Sequence, residues 1–262
     1  MNVFAEFIKT DEIVFKHAKG NRDVKGKEFH IFNEMVFLID NEVEFASDTI
    51  NQKIYGGTLV IIPKEHYHQF ELIGEEKDYH RYVLQFDKIN GLDELIGETL
   101  DAVKVLPNAS KRIVTLFNSL ASTQNLMSQQ DRILLLKSVL PLILMEIKYS
   151  ANTKEITVSQ DDPVVQKIIA YINLHFLDNI CVKTIADELN YSETYISHRF
   201  KKIMHTSVYN YILQKKLIHA YNLIRSGTSA SDTALICGFK EYSGFYRIFK
   251  KHFGFPPSKI ER

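Results

Sequence analysis

Two stretches near the end of the chain follow one plan: a short helix, a tight turn, then a second helix that begins near a serine. The first runs Ile185-Ala186, Tyr191-Ser192, Tyr195-Ile196 and Arg199-Phe200-Lys201-Lys202. The second runs Ala234, Gly238-Phe239, Ser243, Phe245, Arg247 and Phe249-Lys250-Lys251. Ser192 and Ser243 stand 51 residues apart, which makes an imperfect internal repeat. In each copy the helix after the turn has aromatic anchors on one face and polar and basic residues on the other. One face is built to pack and the other to be offered to a partner.

The elements around the repeat are helical. Asp161-Asp162-Pro163 reads as a helix start with proline at the first position, opening an amphipathic helix to Phe176. Lys183–Leu189 is short and Asn190-Tyr191 makes its turn; Ser192 caps a helix over Glu193–Met204. Ser207 starts a long helix, Val208–Arg225, which Gly227 ends. Asp232–Cys237 is short again, and Ser243 lies near the start of a helix running to about Phe253. The first third of the chain reads differently. Glu28–Phe37, Val43–Phe45, Lys53–Tyr55, Thr58–Ile62 and Arg81–Phe86 are short, β-branched or aromatic, and separated by polar or glycine-bearing connections. From Leu92 the period becomes helical, over Asp93–Ala102, Ser110–Leu120 and Gln129–Lys148. The predicted organisation is α+β in two domains, residues 1–150 and 162–262, joined by a polar linker at 151–161.

The formal net charge of zero hides an asymmetry, because residues 1–150 carry −5 and residues 151–262 carry +5. Only the second part is suited to a polyanion. The longest apolar run, Val139–Met145, contains Pro141 and falls far short of the ~20 residues a membrane span needs, so no membrane association is expected. The N-terminus has no secretory leader pattern. Cys181 and Cys237 form no disulfide framework and read as buried free thiols, which fits a cytoplasmic location.

The stretch Gly238-Phe239-Lys-Glu-Tyr-Ser243-Gly-Phe245-Tyr-Arg247-Ile-Phe249-Lys250-Lys251-His-Phe-Gly254-Phe-Pro-Pro257, with the first copy of the plan, resembles the AraC/XylS family of transcription regulators. The resemblance covers Pro163 to the end. It implies an all-α domain with two helix-turn-helix units joined by one long helix, here Val208–Arg225. The two reading helices would enter successive major grooves roughly 34 Å apart on one DNA face. Several positions depart from the family pattern. His205 stands where a glycine usually ends the first reading helix, Lys216 replaces an arginine, Ala230 and Thr233 replace isoleucines, and His198 sits where an arginine often contacts bases.

Candidate DNA-binding residues follow. Thr194, Ser197 and His198 of the first unit, and Tyr242, Ser243, Gly244, Tyr246 and Arg247 of the second, match family positions that face the groove; Ser243 is either a contact or only a cap. Arg199 follows His198 directly. Lys201, Lys202, Lys250 and Lys251 end the reading helices, where ammonium groups meet phosphates. Ile196, Phe200, Phe245 and Phe249 are core, and Tyr195 is assigned there too.

In the N-terminal part, Gly57-Thr-Leu-Val-Ile-Ile-Pro63-Lys-Glu-His-Tyr-His68 resembles the second motif of the cupin fold, which implies a cupin-like β-barrel followed by helices. The first cupin motif is incomplete: only His30 and Glu34 stand where two histidines and a glutamate belong. His30, His66 and His68 are either pocket and structural histidines or ligands of Zn²⁺ or Fe²⁺; the incomplete set argues for no metal and no cofactor. His30, Glu34, Tyr55, His66, His68 and Tyr82 are the candidate effector pocket, with Phe29, Phe32 and Tyr67 as further stacking faces. The helix over Asp131–Lys148 either packs on the barrel or, by the family resemblance, dimerises. The expected function is a DNA-binding transcription regulator, not an enzyme. It would bind double-stranded DNA as a homodimer, respond to a small-molecule effector such as a sugar, and meet RNA polymerase if it activates. The alternatives are a regulator of this family controlled by a protein partner, and a metal-dependent cupin enzyme.

Overall fold

The computed structural model describes residues 4–10, 12–19, 29–73, 79–123, 126–149 and 162–260. The linker expected at 151–161 lies outside them. The chain is α+β in two compact units: residues 1–23 with 31–159, and residues 24–30 with 160–262. The short segment holding Phe29 and His30 therefore falls with the second unit, not the first.

The first unit contains β1 (Phe4–Lys9), β2 (Ile13–Lys19), β3 (Asn33–Leu38), β4 (Glu42–Ser47), β5 (Asn51–Tyr55), β6 (Leu59–Ile62), β7 (His68–Ile73) and β8 (His80–Phe86). After these come α1 (Asp93–Thr99), β9 (Lys104–Leu106), α2 (Lys111–Ala121) and α3 (Gln129–Tyr149). The strands pair antiparallel in two sheets, ordered β1-β2-β8-β3-β6-β9 and β5-β4-β7. Alternation along β3 explains why its sequence is apolar throughout. Met35 and Phe37 join Tyr82, Leu84, Phe117 and the inner face of α3 in one core. Val36 and Leu38 point the other way, into a second core with Val43, Phe45 and Ile54 of the smaller sheet. Helix α3 buries Leu136, Leu140, Ile143 and Leu144 but leaves Leu134, Leu142, Met145 and Tyr149 exposed along its outer side.

The second unit is all helical: α4 (Pro163–His175), α5 (Val182–Leu189), α6 (Glu193–Met204), α7 (Val208–Arg225), α8 (Ala230–Ile236), α9 (Tyr242–Phe253) and a 3₁₀ turn at Pro257–Lys259. The expected caps form. Asp162 accepts from the amides of Val164 and Val165, Ser192 from Tyr195, and Ser207 from Asn210. Helix α7 serves two cores. Its Tyr211 meets Phe200 of α6 edge-on at 5.4 Å, while Leu217, Ala220 and Ile224 pack with Ala234, Phe245 and Phe249. Phe29 seats against Tyr211 with ring centres 5.2 Å apart, and its amide donates to Gln214 Oε1 at 3.2 Å.

Candidate nucleic-acid interface

The two helix-turn-helix units repeat in a register other than the one their serines mark. Tyr191 N–H donates to Ala186 O, and Phe239 N–H donates to Ala234 O, each at 2.9 Å, so the first helices and their turns correspond at a spacing of 48. The turn residues are the left-handed Asn190 and Gly238, with φ of 58° and 76°. The reading helices correspond at 49: their caps are Ser192 and Glu241, and their ends are the left-handed His205 and Gly254. The second turn is one residue longer. Ser243 is thus the second residue of α9 and not its cap; its hydroxyl donates to Glu241 Oε2 at 3.3 Å.

In the corrected register the two faces match. Ile196, Phe200 and Met204 are buried where Phe245, Phe249 and the partly buried Phe253 stand in α9. On the outer side of α6, Glu193, Thr194, Ser197, His198 and Lys201 line a shallow recess of about 450 Å³. The equivalent α9 positions are Tyr242, Ser243, Tyr246, Arg247 and Lys250. Lys201, Lys202, Lys250 and Lys251 are all exposed. Arg247 turns its Nε back onto the Ser243 carbonyl at 3.4 Å. Gly244 lies in the first turn of α9 with open space where a Cβ would stand.

Arg199 pairs through Nε with the carboxylate of Asp162, which is buried, so its guanidinium ties α6 to the start of α4. Two expectations fail here. Tyr195 is not core: it is 43% exposed and stacks on Tyr191 at 5.2 Å. Cys181 is exposed at the start of α5, where hydrogen bonds from Thr184 lower its pKa. Cys237 is buried as expected, and burial pushes its thiol up to about 11. Lys216 holds its ammonium 3.4 Å from the Asp178 carbonyl, and burial lowers its pKa. The same ammonium lies 3.0 Å from where a Cβ on Gly238 would sit, so the residue wedges the second turn.

Within the first unit the structure brings the candidate effector residues Glu34 and His68 together, while Tyr55 and Tyr82 lie elsewhere. Glu34 accepts from His68 Nε2 at 3.0 Å and from Gln85 Nε2 at 2.5 Å, a buried polar cluster that ties β7 of the small sheet to β3 and β8 of the large one. Tyr82 faces the helices on the other side of the large sheet, and its hydroxyl donates to Asn118 Oδ1 at 3.2 Å. Tyr55 is exposed on β5. His66 meets Asp48 Oδ1 at 3.3 Å. His30 is buried and belongs to the second unit. Tyr67 is buried, its hydroxyl donating to Gln69 at 2.9 Å.

Residues 185–262 match the family described as Helix-turn-helix domain. The probable transcription factor PqrA of Proteus vulgaris is 32% identical over 100 residues, covering 37% of this chain and 82% of that protein. The chain belongs to the AraC/XylS family of transcription regulators. Members of the AraC/XylS family are regulators and not enzymes, which sets aside the cupin-enzyme reading. The xylose operon regulatory protein of Haemophilus influenzae is 28% identical over 123 residues, 47% of this chain and 31% of that one. This AraC/XylS chain spans 31%, 34% and 38% of the length of three curated relatives it matches. Among solved structures, ToxT from Vibrio cholerae O395 aligns with 99% of this chain and 95% of its own at 13% identity and a TM-score of 0.41. No helix among the described residues is long and apolar enough to cross a membrane.

Proposed function

We propose that this AraC/XylS chain is a sequence-specific, DNA-binding transcription regulator of the cytoplasm. The observation that carries the reading is the matched pair of exposed faces on α6 and α9, held in one register over aromatic cores. Thr194, Ser197 and His198, with Tyr242, Ser243, Gly244, Tyr246 and Arg247, would meet base edges, and Lys201, Lys202, Lys250 and Lys251 would meet phosphates. Selection of binding sites from random duplexes tests it. The expected result is an enriched sequence whose affinity falls steeply with salt, as counterion release requires. Arg247→Ala should cost ~1–3 kcal/mol on that sequence and relax one base position, while Lys202→Ala should weaken all duplexes alike. Equal losses on selected and scrambled DNA in both variants would refute this division.

The first unit supports an effector reading through Glu34, His68 and the half-buried Gln85, polar groups gathered beside the apolar side chains between the sheets. A sugar is the first class to try, given the xylose operon regulator among the relatives. The second reading, control by a protein partner, draws on the apolar side chains that occupy that space, among them Phe45, Ile54 and Val60. A thermal-shift screen of metabolites separates the two, since a ligand that binds only the folded form raises the melting temperature. Leu134, Leu142, Met145 and Tyr149 form an exposed apolar stripe on α3 that supports a homodimer, and as an activator the dimer would also meet RNA polymerase.

A further inference from the structure

The matched register of α6 and α9 places a carboxylate where a polyanion would lie. Glu193 is the first residue of α6, is exposed, and shares the outer recess with Thr194, Ser197, His198 and Lys201. Its counterpart in α9, 49 positions on, is Tyr242. One column of α6 therefore reads Glu193, Ser197, Lys201, and the same column of α9 reads Tyr242, Tyr246, Lys250. The helices are alike in shape and unlike in chemistry. No cation is paired with Glu193 among the described residues.

On the reading that α6 enters the major groove, a first-turn side chain reaches base edges. A carboxylate there has only acceptors. Guanine offers N7 and O6 and thymine offers O4, all acceptors, so either base leaves the desolvated charge unmatched. Only the amino groups of cytosine N4 and adenine N6 can donate to it. Adenine sets its N7 acceptor beside that amino group, against the second carboxylate oxygen; cytosine sets a C–H there. We propose that Glu193 is a specificity-determining residue that selects cytosine through its N4 amino group in the half of the operator under α6. Its charge also holds the first helix-turn-helix off DNA that lacks this donor. The inference rests on the DNA-binding reading above.

The experiment is selection from random duplexes with the full chain, for the wild type, Glu193→Ala and Glu193→Gln, followed by titrations on the selected site with each base at the assigned position. For the wild type we expect cytosine preferred there by roughly ten- to a hundred-fold. Glu193→Ala should lose that preference while binding scrambled duplexes more tightly than the wild type does. Glu193→Gln should move it to adenine, whose N6 and N7 an amide can engage together. Unchanged melting temperatures would show that all three proteins are folded. If both variants select the wild-type sequence and merely bind every duplex more tightly, the carboxylate acts only as a helix-end charge and the proposal fails, with the DNA-binding reading intact. If the wild type enriches no sequence, both fail.

Discussion

Thr233 shows how much one side chain can depart from its surroundings. It is fully buried in α8, and its hydroxyl has no hydrogen-bond partner among the described residues. At the spacing of 48 that relates the first helices of the two units, its counterpart is Ile185, also fully buried. A desolvated hydroxyl without a partner costs ~1–3 kcal/mol. Thr233→Val keeps the shape and removes the hydroxyl, so it should raise the stability of the second unit by about 1 kcal/mol, read as a shift in urea midpoint at constant slope. A lower midpoint would mean that the hydroxyl finds a partner in solution. Two residues of α6 have surroundings that the sequence alone does not reveal. Tyr195 has the size of a core residue, but its place on α6 lies between the buried column and the groove face, which only the register reveals. Arg199 looks like one more cation beside His198, yet its partner Asp162 is 37 residues away in the chain.

At the scale of elements, legibility followed the strength of the end signals. Helices α6 and α7 fall where the sequence puts them, because Ser192 and Ser207 accept from amides three residues on, and such caps are local. Strands β1, β2, β7 and β9 went unseen. Charged residues interrupt the first three, β9 has three residues, and what fixes all four is pairing with distant strands. Ser243 resembles a cap and so suggests a spacing of 51, while the longer second turn gives that place to Glu241. Asp162 joins two elements at once: it caps α4 and binds Arg199 of α6. Asp162→Asn keeps an acceptor for the cap and loses the ion pair; Asp162→Ala loses both. The alanine variant should therefore melt lower than the asparagine variant, by an amount equivalent to about 1 kcal/mol of cap. Identical melting points would show that the cap contributes nothing there.

At the scale of the whole molecule, the order of residues along the chain and the membership of the cores disagree at one place. Phe29 lies about 130 residues before the helical domain begins, yet it fills a site against Tyr211 and Gln214. Tyr211 in turn touches Phe200 on the buried side of the first reading helix. Removing a buried phenylalanine costs ~3–5 kcal/mol. Phe29→Ala in the full chain should therefore lower the stability of the second unit by roughly that much, and a fragment of residues 162–262 should be weakened to the same extent. Hydrogen exchange at α6 and α7 amides reads both, and full protection in the fragment would show that Phe29 is dispensable. The helical domain is then no self-contained cassette. A chimaera spliced between residues 149 and 162 would transplant a reading head without Phe29. Any graft meant to give this head a new sensor would have to carry the Phe29 segment along with it.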